Sequence, residues 1–355
     1  MIGAGTVSDG DGVLYRVEGV SKEFGHGLGL VPRRAQGVRA LDDVSIEILK
    51  GESFGLVGES GSGKTTLGRL LVRFDEPTTG RISMDGKPLD ELSGRSLKDF
   101  RCRVQMIYQN PFSSLNPRRT VRSVLSAGPA VRALPRGRAR DEAMAELLRR
   151  VGMHESMLLR YPHEFSGGQR QRIVIARALS AGPSVLIADE PVSALDASIQ
   201  AQVLDLLRSL RRDLGLTVVM ITHDLRVVNF FCDRVGVLYR GRMVELGTRR
   251  AVIENSCHPY TRMLMSAAPT GNPTQRPERI WVRGDAGQVP QDREACVFAS
   301  RCWLRAALGN PQRCETERPN LQQVHDGQFA ACHFAESVAS NAAMSQAPAS
   351  VTARP

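Results

Sequence analysis

Residues 13–24 (VLYRVEGVSKEF) alternate apolar and polar positions with a period of two, the pattern of a strand with one buried face. A Gly- and Arg-rich stretch, Gly25–Gly37, follows. A strand-like pair comes next around Ala40–Ile48, with a turn at Lys50-Gly51. Ser53–Val57 is a short apolar run ending in glycines, which predicts a buried strand, a loop, and a helix opening at about Lys64. Residues from about 115 to 180 carry helical spacing, clearest over Arg140–Val151, and predict an inserted helical subdomain. Val185–Ala188 and Leu216–Ile221 are again core-strand runs. Between them, Ala197–Leu214 sets Ile199, Val203, Leu206, Leu207, Leu210 and Leu214 on one helical face. Val235–Leu246 reads as a hairpin turning at Arg240-Gly241. Strands alternating with helices predict an α/β fold: an N-terminal β-subdomain, a mostly parallel core sheet covered on both faces, and the helical insertion. After about Gly247 the texture shifts to Pro, Arg and Cys. The expected boundaries are a main domain at 13–250, a small Cys-containing extension at 251–336, and a disordered tail at 337–355.

Composition narrows this only slightly. The 355 residues are 42% hydrophobic and 24% charged, ordinary for a globular chain with room for one large and one small domain. The apolar runs are too short to span a bilayer, and MIGAGTVSDGDG has neither a basic stretch nor an apolar core. A cytosolic chain is therefore expected, with any membrane link made through a partner. Forty-seven Lys and Arg against 37 Asp and Glu give +10, which favours polyanions but fits a solvated basic surface equally well. Arginine gathers at Arg33–Arg39 and Arg118–Arg140. Of seven cysteines, Cys296, Cys302, Cys314 and Cys332 fall in one C-terminal stretch, and without an export signal this suggests metal or redox chemistry before disulfides.

The chemistry is concentrated in a few strings. Gly58-Glu59-Ser60-Gly61-Ser62-Gly63-Lys64-Thr65 fits G-x-x-x-x-G-K-[ST] between a predicted strand and helix, and Thr66 follows. Backbone N–H groups of such a loop turn inward on phosphate oxygens, and the helix adds its positive end. Lys64 is placed to reach the β- and γ-phosphates and Thr65 to ligate Mg²⁺. A chance match in a chain of this length is on the order of one in a hundred. Val185–Ala188 runs into Asp189-Glu190, which sets two carboxylates at the sheet edge where the loop also ends. Asp189 is placed to hold Mg²⁺, and Glu190 to polarise an attacking water as general base. An acidic pair after a strand is as often a solvated turn; with the phosphate loop it becomes a hydrolytic site.

Phe165-Ser166-Gly167-Gly168-Gln169, followed by Arg170-Gln171-Arg172, lies between these two motifs. It resembles the Leu-Ser-Gly-Gly-Gln hallmark of the ABC family, with Phe in place of Leu. Ser166, Gly167, Gly168 and Gln169 would form a second anion cradle, which in that family closes over the nucleotide of the partner subunit. The resemblance extends in order to Gln109 as the glutamine that touches Mg²⁺ and water. Asp196, in Ser193-Ala194-Leu195-Asp196, matches the loop that crosses the dimer interface. His223 matches the histidine that meets the γ-phosphate, and Phe24 the ring that stacks on adenine. ATP and Mg²⁺ are the implied ligands, and an active ATPase is expected.

More narrowly, Gly58–Leu71, Gln109–Arg118 and His258-Pro259-Tyr260-Thr261 are similar to the ATP-binding subunits of oligopeptide and dipeptide importers. That likeness implies a second, D-type ATPase subunit, two transmembrane permease subunits, a place on the cytoplasmic face of the inner membrane, and peptide delivered by an extracytoplasmic binding protein. Importers of nickel, glutathione and some sugars use very similar subunits. A soluble ABC ATPase acting on nucleic acid is the rival class, but such chains usually carry two cassettes, and no nucleic-acid partner is expected here. The same resemblance suggests a [4Fe–4S] cluster on Cys296, Cys302, Cys314 and Cys332, spaced C-x₅-C-x₁₁-C-x₁₇-C; reduced thiols in a packed lobe are the alternative.

Overall fold

A computed structural model describes residues 12–25, 37–109, 114–267, 280 and 294–339. Most of the Gly25–Gly37 stretch, part of the Gln109–Arg118 string and nearly all of the expected tail lie outside the described residues. The strands are β1 (Val13–Phe24), β2 (Val38–Leu49), β3 (Ser53–Val57), β4 (Thr79–Met84), β5 (Lys87–Pro88) and β6 (Val104–Ile107). They continue with β7 (Val185–Asp189), β8 (Thr217–Thr222), β9 (Arg234–Tyr239), β10 (Arg242–Thr248), β11 (Gln322–His325) and β12 (Gln328–Ala330). The pair expected around Ala40–Ile48 is thus one long strand, β2. Contacts divide the chain into two compact units. One comprises the described residues within 12–22, 45–53 and 65–221, and the other those within 23–44, 54–64 and 222–339.

In the first unit β1 runs antiparallel to β4, with Tyr15 opposite Met84 and Val17 opposite Ile82. The Tyr15 ring is fully buried, and its hydroxyl satisfies itself by donating to the Leu71 carbonyl at 3.1 Å. Strands β6, β7 and β8 are parallel, with Val104 beside Val185 and Val185 beside Thr217. Val185 to Ala188 are wholly buried, because a parallel strand covered on both faces needs apolar residues at every position. The helix Ala197–Leu214 buries Val203, Leu204, Leu207 and Leu210. The expected stripe ends early, since Leu214 is exposed where Gly215, at φ 63°, reverses the chain. Helices Val121–Leu125, Pro129–Ala133, Arg138–Arg150 and Gly167–Leu179 form the helical part around Val121, Leu125, Leu148 and Ile173. Arginines of the basic stretch face outward there. Arg138 pairs with Glu142 at 2.8 Å and Arg122 with Asp141 at 2.5 Å, exposed pairs of small energetic weight.

In the second unit β3 runs parallel to β9, and β9 turns back into β10. Arg240 and Gly241 both have positive φ, 48° and 81°, the twist that a two-residue hairpin loop requires. Strand β12 pairs with β10, and β11 with β12, so the C-terminal stretch lengthens this ladder by two strands. Glu245 on β10 is fully buried. It accepts from the Cys257 and His258 amides at 2.8 and 3.1 Å and from Gln328 Nε2 at 2.9 Å. Burial lifts its carboxyl to about 7, and those donors restrain the rise. Trp303, Leu304 and Val338 form a small core nearby, with Trp303 Nε1 donating to the Pro259 carbonyl at 3.0 Å.

Candidate functional site

The phosphate loop shows how glycine is used for close approach. A Cβ at Gly58 would stand 2.1 Å from the Leu238 carbonyl oxygen, so no other residue fits there. Lys64 is buried at 6% exposure. Its Nζ donates to the carbonyls of Gly58 at 2.8 Å and Glu59 at 2.7 Å, and to Ser62 Oγ at 3.3 Å. An ammonium turned onto its own loop's oxygens is held where a phosphate oxygen can replace them as acceptor. Ser60 and Gly61 are exposed on the crest of the loop, and Thr65 and Thr66 open the helix Lys64–Leu71.

In the first unit Thr65 Oγ1 donates to Asp189 Oδ1 at 3.2 Å, with Asp189 buried at the end of β7. A hydroxyl and a carboxylate oxygen are the hard donors that Mg²⁺ prefers. The next residue, Glu190, has a left-handed φ of 47°. Its amide donates to the Ile221 carbonyl at 2.8 Å, and its Oε2 accepts from Gln109 Nε2 at 2.9 Å. The fold therefore brings Gln109 to Glu190 and Thr65 to Asp189.

Ser166 caps the helix Gly167–Leu179. Its Oγ accepts from the Gln169 amide at 3.4 Å, while Gln169 Oε1 accepts from the Ser166 amide at 3.1 Å. The Ser166 hydroxyl proton is not consumed by that bond and can still be given to an anion. The two glycines have different reasons. A Cβ at Gly168 would meet Ile199 Cγ2 at 2.5 Å, whereas one at Gly167 would find only an ordinary 3.4 Å contact with Leu195. Packing within the chain demands glycine at 168 but not at 167. Asp196 caps the helix Ala197–Leu214. The Ile199 amide and Ser198 hydroxyl hydrogen-bond its carboxyl and hold it below the usual range.

His223 is exposed just past β8, beside Asp224, which caps the helix Leu225–Phe231. Phe24 is exposed at 43% where β1 ends. The four C-terminal cysteines line one small cavity with Phe298 and Leu304. They are free thiols, and burial pushes Cys302 up to about 12 and raises Cys296, Cys314 and Cys332 as well. Four sulfurs would be suitable donors for iron, but among the described residues no group of three or more His, Cys, Asp or Glu side chains could hold a metal ion. Nothing here supports the [4Fe–4S] expectation for Cys296, Cys302, Cys314 and Cys332, and nothing below depends on it.

Two contacts to the phosphate loop were not anticipated. Tyr260 Oη accepts from the Glu59 amide at 2.8 Å, and Arg301 grips the Glu59 carboxylate. Tyr260 drew attention only as part of a family-like string, and nothing local marks Arg301.

Among the described residues no helix is long and apolar enough to cross a membrane. The family described as ABC transporter matches residues 41–193, and the one described as oligopeptide/dipeptide transporter, C-terminal region, matches 244–308. The oligopeptide transport ATP-binding protein AppF of Bacillus subtilis is 43% identical over 324 residues, 90% of this chain and 97% of that protein. A Brucella ovis protein named as a peptide import ATP-binding protein is 45% identical over 319 residues, again 90% of this chain and 97% of its own length. Among solved structures, cbiO1 of Clostridium perfringens, part of the ABC transporter complex cbiONQ, superposes with a TM-score of 0.59 at 29% identity. That match covers 69% of this chain and 92% of cbiO1. The ATP-binding cassette MJ0796, dimeric and bound to ADP and Pi after hydrolysis, gives 0.56 at 29% identity over 67% of this chain and 99% of its own. With nucleotide-site motifs in order and relatives matched along nine-tenths of its length, the chain belongs to the ABC transporter family, as one of its ATP-hydrolysing subunits with the oligopeptide/dipeptide type of C-terminal region.

Proposed function

We propose that this chain hydrolyses ATP to energise import of dipeptides and oligopeptides, paired with a second ATPase subunit beneath two permease subunits on the cytoplasmic face of the membrane. The observation that carries the cargo is the C-terminal region at residues 244–308, of the oligopeptide/dipeptide transporter type. An extracytoplasmic binding protein would select the peptide, so this chain touches nucleotide and permease and not cargo.

In this reading Lys64 and the loop amides bind the β- and γ-phosphates, and Phe24 stacks on the adenine. Thr65, Asp189 and Gln109 would hold Mg²⁺, which would neutralise charge on the phosphates. Glu190 takes a proton from a water that Gln109 orients, the water oxygen bonds to the γ-phosphorus, and the bond to the ADP oxygen breaks to leave ADP and phosphate. His223 steadies the γ-phosphate. The cradle Ser166–Gln169 covers the nucleotide of the partner subunit, with Asp196 at that interface, so each site is completed only on closure and excludes bulk water. The test is uptake of a labelled dipeptide and tripeptide by a strain lacking this subunit. Restored uptake with the wild-type chain but not with Glu190→Gln is expected. Unchanged peptide uptake in the deletion, with loss of nickel or glutathione uptake, would overturn the cargo.

A further inference from the structure

Glu59, the second residue of the phosphate loop, places a carboxylate where the site must receive a polyanion. In the second unit that carboxylate is claimed. Arg301 Nη1 donates to Glu59 Oε2 at 2.9 Å and Nη2 to Oε1 at 3.2 Å, a two-pronged geometry that fixes orientation as well as charge. The Arg301 side chain is 11% exposed and that of Glu59 29%, so the pair is partly shielded from water and salt. Arg301 is itself braced: Nη1 also donates to the Tyr239 hydroxyl at 3.3 Å, and the guanidinium lies 5.9 Å from that ring. Tyr239 packs at 4.5 Å on Tyr260 and edge-on at 5.3 Å to Phe298, and Tyr260 accepts from the Glu59 amide. The Glu59 carbonyl in turn accepts from Lys64 at 2.7 Å. One residue thus joins the C-terminal region to the loop lysine.

We propose that Arg301 is a positioning residue of the nucleotide site: it neutralises and fixes the Glu59 carboxylate, so that the loop presents Lys64 to ATP without an opposing negative charge. The proposal rests on the loop being the ATP site. Removing the guanidinium leaves a half-buried carboxylate unpaired beside the phosphates, so the loss is electrostatic and is relieved by removing that carboxylate too.

The test is equilibrium ATP binding by the full chain, with nucleotide-free melting curves for each variant. Arg301→Gln is expected to raise the ATP Kd about tenfold, the scale of a lost charge-assisted contact. The double variant Glu59→Gln/Arg301→Gln is expected to bind ATP about fivefold more tightly than Arg301→Gln alone, a rescue that a purely structural role would not give. A wild-type Kd in Arg301→Gln, or a double variant no tighter than the single, overturns the proposal. If Arg301→Gln does not fold, Arg301→Lys replaces it: with charge kept and the fork lost, a Kd raised about threefold supports the proposal and a wild-type Kd overturns it. Lys64→Ala separates the two levels. ATP binding lost in Lys64→Ala but intact in Arg301→Gln sinks this proposal alone, and ATP binding intact in Lys64→Ala sinks the nucleotide reading beneath it.

Discussion

Gln109 Nε2 donates to Glu190 Oε2 at 2.9 Å, joining side chains 81 positions apart, while the Glu190 backbone, at a φ of 47°, donates its N–H to the Ile221 carbonyl. A left-handed non-glycine residue costs on the order of 1 kcal/mol and persists only where its surroundings fix it. Here it aims a carboxylate at the mouth of β7. Glu190→Gln keeps an acceptor for Gln109 but removes the base. Phosphate release is expected to fall by at least about a hundredfold with ATP affinity retained. A variant that turns over at the native rate would remove Glu190 from the reaction.

The Thr65–Asp189 contact makes a separate prediction. Asp189→Asn keeps the shape of the buried side chain but replaces a hard anionic donor with an amide. The Mg²⁺ concentration for half-maximal hydrolysis at fixed ATP is expected to rise at least about tenfold. An unchanged Mg²⁺ titration would mean that the metal is held elsewhere.

Gly167 and Gly168 should part company when each is changed to alanine. At Gly168 the new methyl collides with Ile199, so a loss of about 1–3 kcal/mol is expected, relieved by Ile199→Ala in the same chain. At Gly167 there is room, so melting should stay near wild type while nucleotide-dependent dimer formation weakens. Size-exclusion with ATP in a Glu190→Gln background reads this directly. A Gly167→Ala chain that dimerises as well as its parent would mean that the cradle meets no partner nucleotide.

The site was legible where chemistry is carried by contiguous chain. Lys64 comes six residues after Gly58, which cannot carry a Cβ, and Asp189 ends an apolar strand, so local geometry alone positions them. The turn at Arg240-Gly241 was legible for the same reason. Leu214 is helical as its spacing indicated, but it is the last residue before Gly215 ends the helix and so stays exposed. Strand β11 (Gln322–His325) was not foreseen, since its side chains are largely polar and its place follows from pairing with β12. Arg301 was out of reach altogether: its partner is 242 residues away, and an arginine among 47 basic residues has no local mark.

Glu245 and His258 give the second unit an unusual response to pH. Glu245 sits at about 7 when folded against an ordinary carboxyl near 4.5, so between those values the folded chain binds the extra proton and stability declines as pH rises. His258, buried and adjacent, is pushed down to about 3 from 6.5, so its stability is present above 6.5 and is lost as pH falls. From pH 8 down to about 7 Glu245 dominates and melting temperature should climb; further down His258 increasingly opposes it and the climb flattens. Glu245→Gln disturbs the bonds from Cys257, His258 and Gln328 at every pH, so its absolute cost is uninformative. The informative quantity is the wild-type melting temperature minus that of the variant, which should grow as pH drops from 8 to 6. A difference independent of pH would show that Glu245 is already ionised in the folded chain, with its three donors outweighing its burial.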